Sequence, residues 1–234
     1  MVNFDFQIIR SRRLTGSTTI RVSPETGVIV RAPFWLPEGT IRRFIEDRSG
    51  WIEKQLRRFN SAVIPEKQYL EGETHLYFGT EYPLLFSFAE TPVRTTIDLL
   101  ENNLQVTLYR GHSGEKQQTE IKDALLRWYL ETGVGAITKK VNFYAGELGV
   151  EYSRIELKKV SSIWGSCSAS NNLSFNRKLI MAPHAIVDYV VIHEVCHMVH
   201  RNHSSRFWAL VSRFDRNFRE HRRWLRDNHH LLSI

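Results

Sequence analysis

Three side chains within five consecutive residues, His193-Glu194-Val195-Cys196-His197, have the types and spacing that metal-assisted hydrolysis requires. Residues four apart on a helix sit about 40° apart around its axis and about 6 Å along it, so two imidazoles placed so can converge on one zinc ion. Glu194, beside the first histidine, would stand where a carboxylate can take a proton from water. Val187, Val191, Val195 and Met198 fall on one face of the same stretch, and Ile192 and Val199 extend the apolar surface. The pattern predicts a buried helix from Pro183 to about His200. Two histidines and a glutamate in such a helix are costly unless something satisfies them. The competing account is a pair of core histidines hydrogen-bonded to neighbours.

A hydrolytic zinc site needs a third protein ligand and one open position. His200 lies seven residues after His193, on the same side of the helix but about 10 Å along its axis. His203 lies ten residues after it and would point away, at about 280°, on an unbroken helix. It can ligate only if the helix stops first. Arg201-Asn202 supplies a stop, since Asn tolerates the left-handed conformation, and Ser204 or Ser205 can cap a following helix. His203 is therefore favoured, with His200 as a hydrogen-bonding or substrate-side group. Cys196, about 180° around the helix from Val187, is not expected to ligate.

Other elements must position this cluster. Phe4–Ile9, Thr18–Val22 and Val28–Ala32 read as short strands, with a turn signal at Ser23-Pro24-Glu25-Thr26-Gly27. One amphipathic helix is expected from Pro37 to Phe59, weakened at Gly50. Strand patterns return at Leu76–Phe78, Tyr82–Phe88, Thr95–Leu99 and Leu104–Tyr109, the last two joined at Asn102-Asn103. A long helix, open to kinking at Gly133 and Gly135, follows over Glu115–Leu148. Ile155–Val160 reads as a strand, Ser162–Ser166 and Asn172–Met181 as a hairpin, and residues from about Ser205 to Arg226 as one last helix. The fold class is α+β: a β-rich region with one helix over 1–112, then a catalytic half over 113–234.

Trp164-Gly165-Ser166-Cys167, Leu173-Ser174-Phe175-Asn176, Leu179, Pro183, Asp188-Tyr189-Val190-Val191, the His193–His197 motif and Asn202-His203-Ser204 with Phe207-Trp208 together resemble the YgjP-like zinc metallopeptidases, relatives of the SprT-like and WLM proteases. The similarity is dense over 155–226 and looser upstream, at Trp51-Ile52 and Trp128-Tyr129. The resemblance implies a zincin-like domain with its H-E-x-x-H helix near a small sheet. It also implies zinc on His193, His197 and His203, and Glu194 as general base. Metzincins share the first-to-third histidine spacing, but this chain has His200 where they have a turn glycine, and no Met-turn follows. For the implied amide hydrolysis, His200 and Tyr189 are candidates to stabilise the oxyanion. Trp164, Gly165 and Ser166 are candidates for a strand that holds an extended peptide by main-chain hydrogen bonds.

The 234 residues carry a formal charge of +7. Residues 1–150 contribute +1 and residues 151–234 contribute +6, and seven of the ten histidines lie from His193 onward. Much of the excess is Arg206, Arg213, Arg216, Arg219, Arg222, Arg223 and Arg226, expected on a packed helix with a solvated basic side. Contact with nucleic acid or an acidic protein through that side is the sharper expectation. No stretch is apolar enough to span a bilayer, so no membrane partner is expected. The start, Met1-Val2-Asn3-Phe4, does not read as a secretory leader. Two cysteines, Cys167 and Cys196, make no disulfide framework, and a cytoplasmic location is expected. The chemistry also admits a hydrolase of a non-peptide bond, or a nucleic-acid-associated protein with structural zinc.

Overall fold

The computed structural model describes residues 4–14, 16–23, 26–61, 67–160 and 163–232. Pro24 and Glu25 of the expected turn, the Phe59 side chain and Ser162 lie outside the described residues. The chain divides into two compact units, Met1–Pro65 and Glu66–Ile234.

In the first unit, period-2 alternation produces a three-stranded sheet. β1 (Phe6–Ser11), β2 (Thr19–Ser23) and β3 (Gly27–Pro33) lie in the order β1-β3-β2, with β3 parallel to β1 and antiparallel to β2. Val28, Val30 and Ala32 form a core with Ile41 and Ile45 of α1 (Glu38–Glu46) and Ile52 of α2 (Ser49–Ser61). The single helix expected after Pro37 is thus two. The Arg48 N–H bonds back to the Ile45 carbonyl, an i→i+3 tightening that ends α1, while Gly50 sits inside α2.

The second unit is mixed α+β. β4 (Thr74–Tyr77), β5 (Thr80–Ala89), β6 (Thr96–Leu100) and β7 (Asn103–Tyr109) form a sheet of order β4-β5-β7-β6, in which β5 and β7 are parallel. The 35-residue α3 (Gly114–Leu148) crosses the unit unbroken. Gly133 does not interrupt it. It allows close approach, since a Cβ there would stand 3.0 Å from Leu157 Cδ2. Leu104, Val106 and Leu108 of β7 share one core with Ile121, Leu125 and Trp128 of α3. The sequence boundary at 112/113 runs between these two elements.

β8 (Arg154–Lys158), β9 (Gly165–Cys167) and β10 (Asn172–Asn176) make a second small sheet of order β8-β10-β9, leaving β9 at its edge. β10 stops at Asn176 instead of running to Met181. The Asn176 side chain accepts the Lys178 N–H and starts a 3-10 turn over Arg177–Met181. Pro183 then opens α4 (His184–Cys196), whose Val187, Val191, Val195 and Ile192 are buried in the same core.

Two boundaries near the histidines differ from expectation. α4 ends at Cys196, not about His200, because Met198 and Val199 donate to the Val195 and Cys196 carbonyls in tightened i→i+3 turns. Asn202 takes no left-handed conformation, a form that non-glycine residues adopt at Tyr69, Phe78, Glu101 and Asn171 among the described residues. The last helix is two, α5 (Ser205–Phe214) and α6 (Phe218–Asn228). Asp215 breaks it in an extended conformation, its carboxylate accepting from Asn217 N–H and His221 Nδ1. Among the described residues no helix is long and apolar enough to cross a membrane.

Candidate active site

His193 leaves the last full turn of α4, His197 caps that helix, and His203 precedes α5, with Ser204 capping α5 through the Phe207 N–H. Because the chain leaves the helical path after Cys196, His203 returns towards the first two histidines. One nitrogen from each of the three lies within 4.8 Å of the other two. Nε2 of His193 faces Nε2 of His203 at 3.0 Å. The His197 Nδ1–H donates to the His200 carbonyl at 3.1 Å, which fixes the tautomer and leaves Nε2 with a free lone pair.

Phe207, fully buried, packs against all three rings, stacked on His197 at 4.5 Å and edge-on to His193 and His203 at 5.0 and 4.8 Å. Trp208 stacks on His203 at 5.5 Å. These aromatics restrict the imidazole rotamers, so the cluster is held before any ligand arrives. Burial, and then the neighbouring His197 and His203, push His193 down to about 3. Burial likewise lowers His197. Neutral imidazoles are the form that binds a metal. His193 Nδ1 is buried with no hydrogen-bond partner among the described residues.

His193, Glu194, His203, Tyr189, Trp164 and Gly165 line one cleft of about 740 Å³. Glu194 is 5% exposed, and burial pushes its carboxyl up to about 8. Gly165 on β9 lies directly against it: a Cβ at Gly165 would stand 2.6 Å from both Cγ and Oε1 of Glu194. Tyr189, one turn before His193, has its ring 5.9 Å from that imidazole, and burial raises its hydroxyl to about 12. Ser166 and the His200 ring are not brought to the cleft wall. His200 reaches the cluster through its backbone carbonyl. Burial raises both thiols, Cys196 to about 12.

Two participants escape sequence reasoning. Arg201 binds the β9–β10 turn from the segment between His197 and His203. Its guanidinium donates to the Ser168 carbonyl at 2.7 Å, the Ala169 carbonyl at 3.2 Å and Asn171 Oδ1 at 2.5 Å. Phe207 is the other: its place in the motif is visible, but its contact with all three histidines is not. Neither role follows from spacing, because each is a tertiary contact.

The family described as "YgjP-like, metallopeptidase domain" matches residues 17–228 of this sequence. The chain belongs to the YgjP-like family. That places it among the metallopeptidases, hydrolases that work with a metal, and the His193–His197–His203 cluster is a group able to hold one. The metallopeptidase zymogen of Pyrococcus abyssi abylysin, a solved structure, is similar at 17% identity over 38% of this chain and 91% of its own, with a TM-score of 0.35. No curated protein matches the chain.

Proposed function

We propose that this YgjP-like chain is a zinc-dependent peptidase, with His193, His197 and His203 as the metal ligands and Glu194 as the general base. The observation that carries this reading is the triangle of imidazole nitrogens within 4.8 Å, of which His193 and His203 line the cleft together with Glu194. The residues present fit the ion. Two bare nitrogens at 3.0 Å can share only one proton between them, whereas a cation would use both lone pairs. When bound, zinc supplies a Lewis acid that lowers the pKa of water and polarises a carbonyl.

The chain's own groups do the rest. Burial favours the neutral acid of Glu194, so its work as a base depends on a cation held by the neighbouring histidines, whose charge would favour the carboxylate. In that form Glu194, unencumbered by a side chain at Gly165, takes a proton from water and returns it to the leaving amine. The edge position of β9 leaves main-chain groups of Gly165–Cys167 to pair with an extended substrate, Trp164 and Gly165 walling the cleft. Tyr189 stays protonated at neutral pH and faces the cleft, so it is favoured over the His200 ring as a donor to the developing oxyanion. The His200 carbonyl instead orients His197. Two free cysteines suit a reducing compartment such as the cytoplasm.

The test is zinc content and peptide cleavage for the wild type, Glu194→Gln and His203→Ala. Glu194→Gln should keep zinc and lose roughly 10²–10⁴-fold in rate. His203→Ala should lose both zinc and activity. Undiminished cleavage by Glu194→Gln, or wild-type zinc affinity in His203→Ala, overturns the assignment.

A further inference from the structure

The cleft does not end at the histidines. Trp208, Arg222 and Arg226, which form part of its wall, also line a second concavity of about 1060 Å³ between α5 and α6. Arg219 and Arg223 line that groove with Phe218. The four arginines are spaced i, i+3, i+4 and i+7 on α6, which sets them on one helix face, where like charges repel. Among the described residues Arg226 pairs with Asp227 at 3.1 Å, while no carboxylate pairs with Arg219, Arg222 or Arg223. Arg222 lies over the Trp208 ring at 5.5 Å, close enough to the histidines that its charge acts on His193. A set of unpaired guanidiniums in a concavity is complementary to carboxylates, which they can grip in bidentate fashion.

We propose that the α5–α6 groove is a substrate subsite for carboxylate groups. A peptide lying beside His193 and Glu194 continues past Trp208 and places an acidic side chain, or its own C-terminal carboxylate, among Arg219, Arg222, Arg223 and Arg226. The occupant is a polypeptide because the groove opens from the cleft of a metallopeptidase and shares three residues with it. The aromatic floor also disfavours nucleic acid. Trp208 is already stacked by Phe218 at 5.2 Å and by His203 at 5.5 Å, so it is not the open platform on which bases stack. Arg222 and Arg226 wall the cleft as well as the groove, so the preferred acidic position lies within a few residues of the scissile bond.

This inference rests on the peptidase reading, so its test measures binding apart from turnover. The zinc-loaded full chain carrying Glu194→Gln is titrated by fluorescence anisotropy against labelled ten-residue peptides. These hold either three Glu or three Gln, each with a free or amidated C-terminus; a single-stranded ten-nucleotide DNA is run beside them. The Glu peptides should bind about tenfold tighter than the Gln peptides, with a margin that shrinks as salt rises. A Glu-over-Gln margin kept on amidation assigns the contact to side chains, and a loss of affinity on amidation in Glu and Gln peptides alike assigns it to the terminal carboxylate. Arg222→Gln should remove the margin and leave Gln-peptide binding in place. Arg226→Gln repeats this without disturbing the packing of Arg222 on Trp208. Arg213→Gln, an equal charge change outside the groove, should keep the margin. Equal affinity for Glu and Gln peptides that is also unchanged by amidation overturns the proposal, as does a margin lost equally in Arg213→Gln, or DNA binding tighter than the Glu peptide with the same dependence on Arg222. Cleavage by the wild type without acidic preference sinks this subsite alone. Acidic preference in binding without any cleavage sinks the peptidase reading alone.

Discussion

Gly165 sets the space in which Glu194 stands. An alanine methyl there would lie 2.6 Å from Glu194 Oε1, closer than nonbonded atoms approach, so the carboxylate must swing away while the histidines keep their places. Gly165→Ala should therefore retain zinc stoichiometry and lose about 10²-fold in kcat, the scale of a 1 Å misplacement of a reacting group. Metal analysis beside steady-state kinetics checks it, and loss of zinc would show that the strand moves instead. His75, 2% exposed on β4, gives a second residue-scale prediction. Burial and then the Lys67 charge push it down to about 4 from its ordinary 6.5. Between those values the unfolded chain binds the proton that the folded chain refuses, so stability falls as pH drops through this window. From pH 7 to 4.5 the wild type should lose about 2–3 kcal/mol more than His75→Phe in urea unfolding; equal losses would reject it. At this scale the pairing of His193 with His197 was legible because helical geometry alone relates the two. His75 was not, because nothing local foretells that β4 buries its ring against Tyr69.

Elements were legible in kind and less so in their breaks. Periodicity marked every strand that positions the site, yet α1/α2 and α5/α6 each read as one helix. Their interruptions depend on an i→i+3 turn at Arg48 and on the Asp215 carboxylate, neither of which disturbs the apolar pattern. The start of α4 is held in the same non-local way. The turn after β4 docks on the preceding 3-10 segment, where Phe78 N–H bonds to Ile180 O at 2.8 Å and Gly79 N–H to Met181 O at 3.0 Å. Phe78 stacks on His184 at 4.1 Å. Gly79 has φ +80°, and a Cβ on it would stand 2.9 Å from Pro183 Cα. Gly79→Ala thus combines a left-handed backbone cost with a clash against the residue that opens α4. It should cost about 2 kcal/mol or more, read by chemical denaturation. A neutral outcome would mean that the turn is not needed to seat α4.

Across the whole molecule, counting by region places two features in the C-terminal third: a histidine excess, which does not enter the total of +7, and an arginine excess, which makes most of it. The histidine excess builds the cluster on α4 and its following loop, while four of the arginines line one groove. The division of the chain was less legible, because the core shared by β7 and α3 joins residues on both sides of 112. That core also decides what metal removal should do. His193 and His197 hang from a helix whose Val187, Val191 and Val195 are completely buried, and Phe207 packs behind all three rings. Burial disfavours charge on His193 and His197, so little repulsion between those two rings forces the unit open when the ion leaves. A structural zinc would behave otherwise, because in small metal-folded domains binding free energy is folding free energy. Chelation should therefore abolish cleavage and leave the far-ultraviolet circular dichroism unchanged. The melting temperature should fall only by the linkage term, about 4 kcal/mol of lost stabilisation if zinc had stood at a thousand times its Kd. Collapse of the spectrum on chelation would transfer the ion from the reaction to the fold.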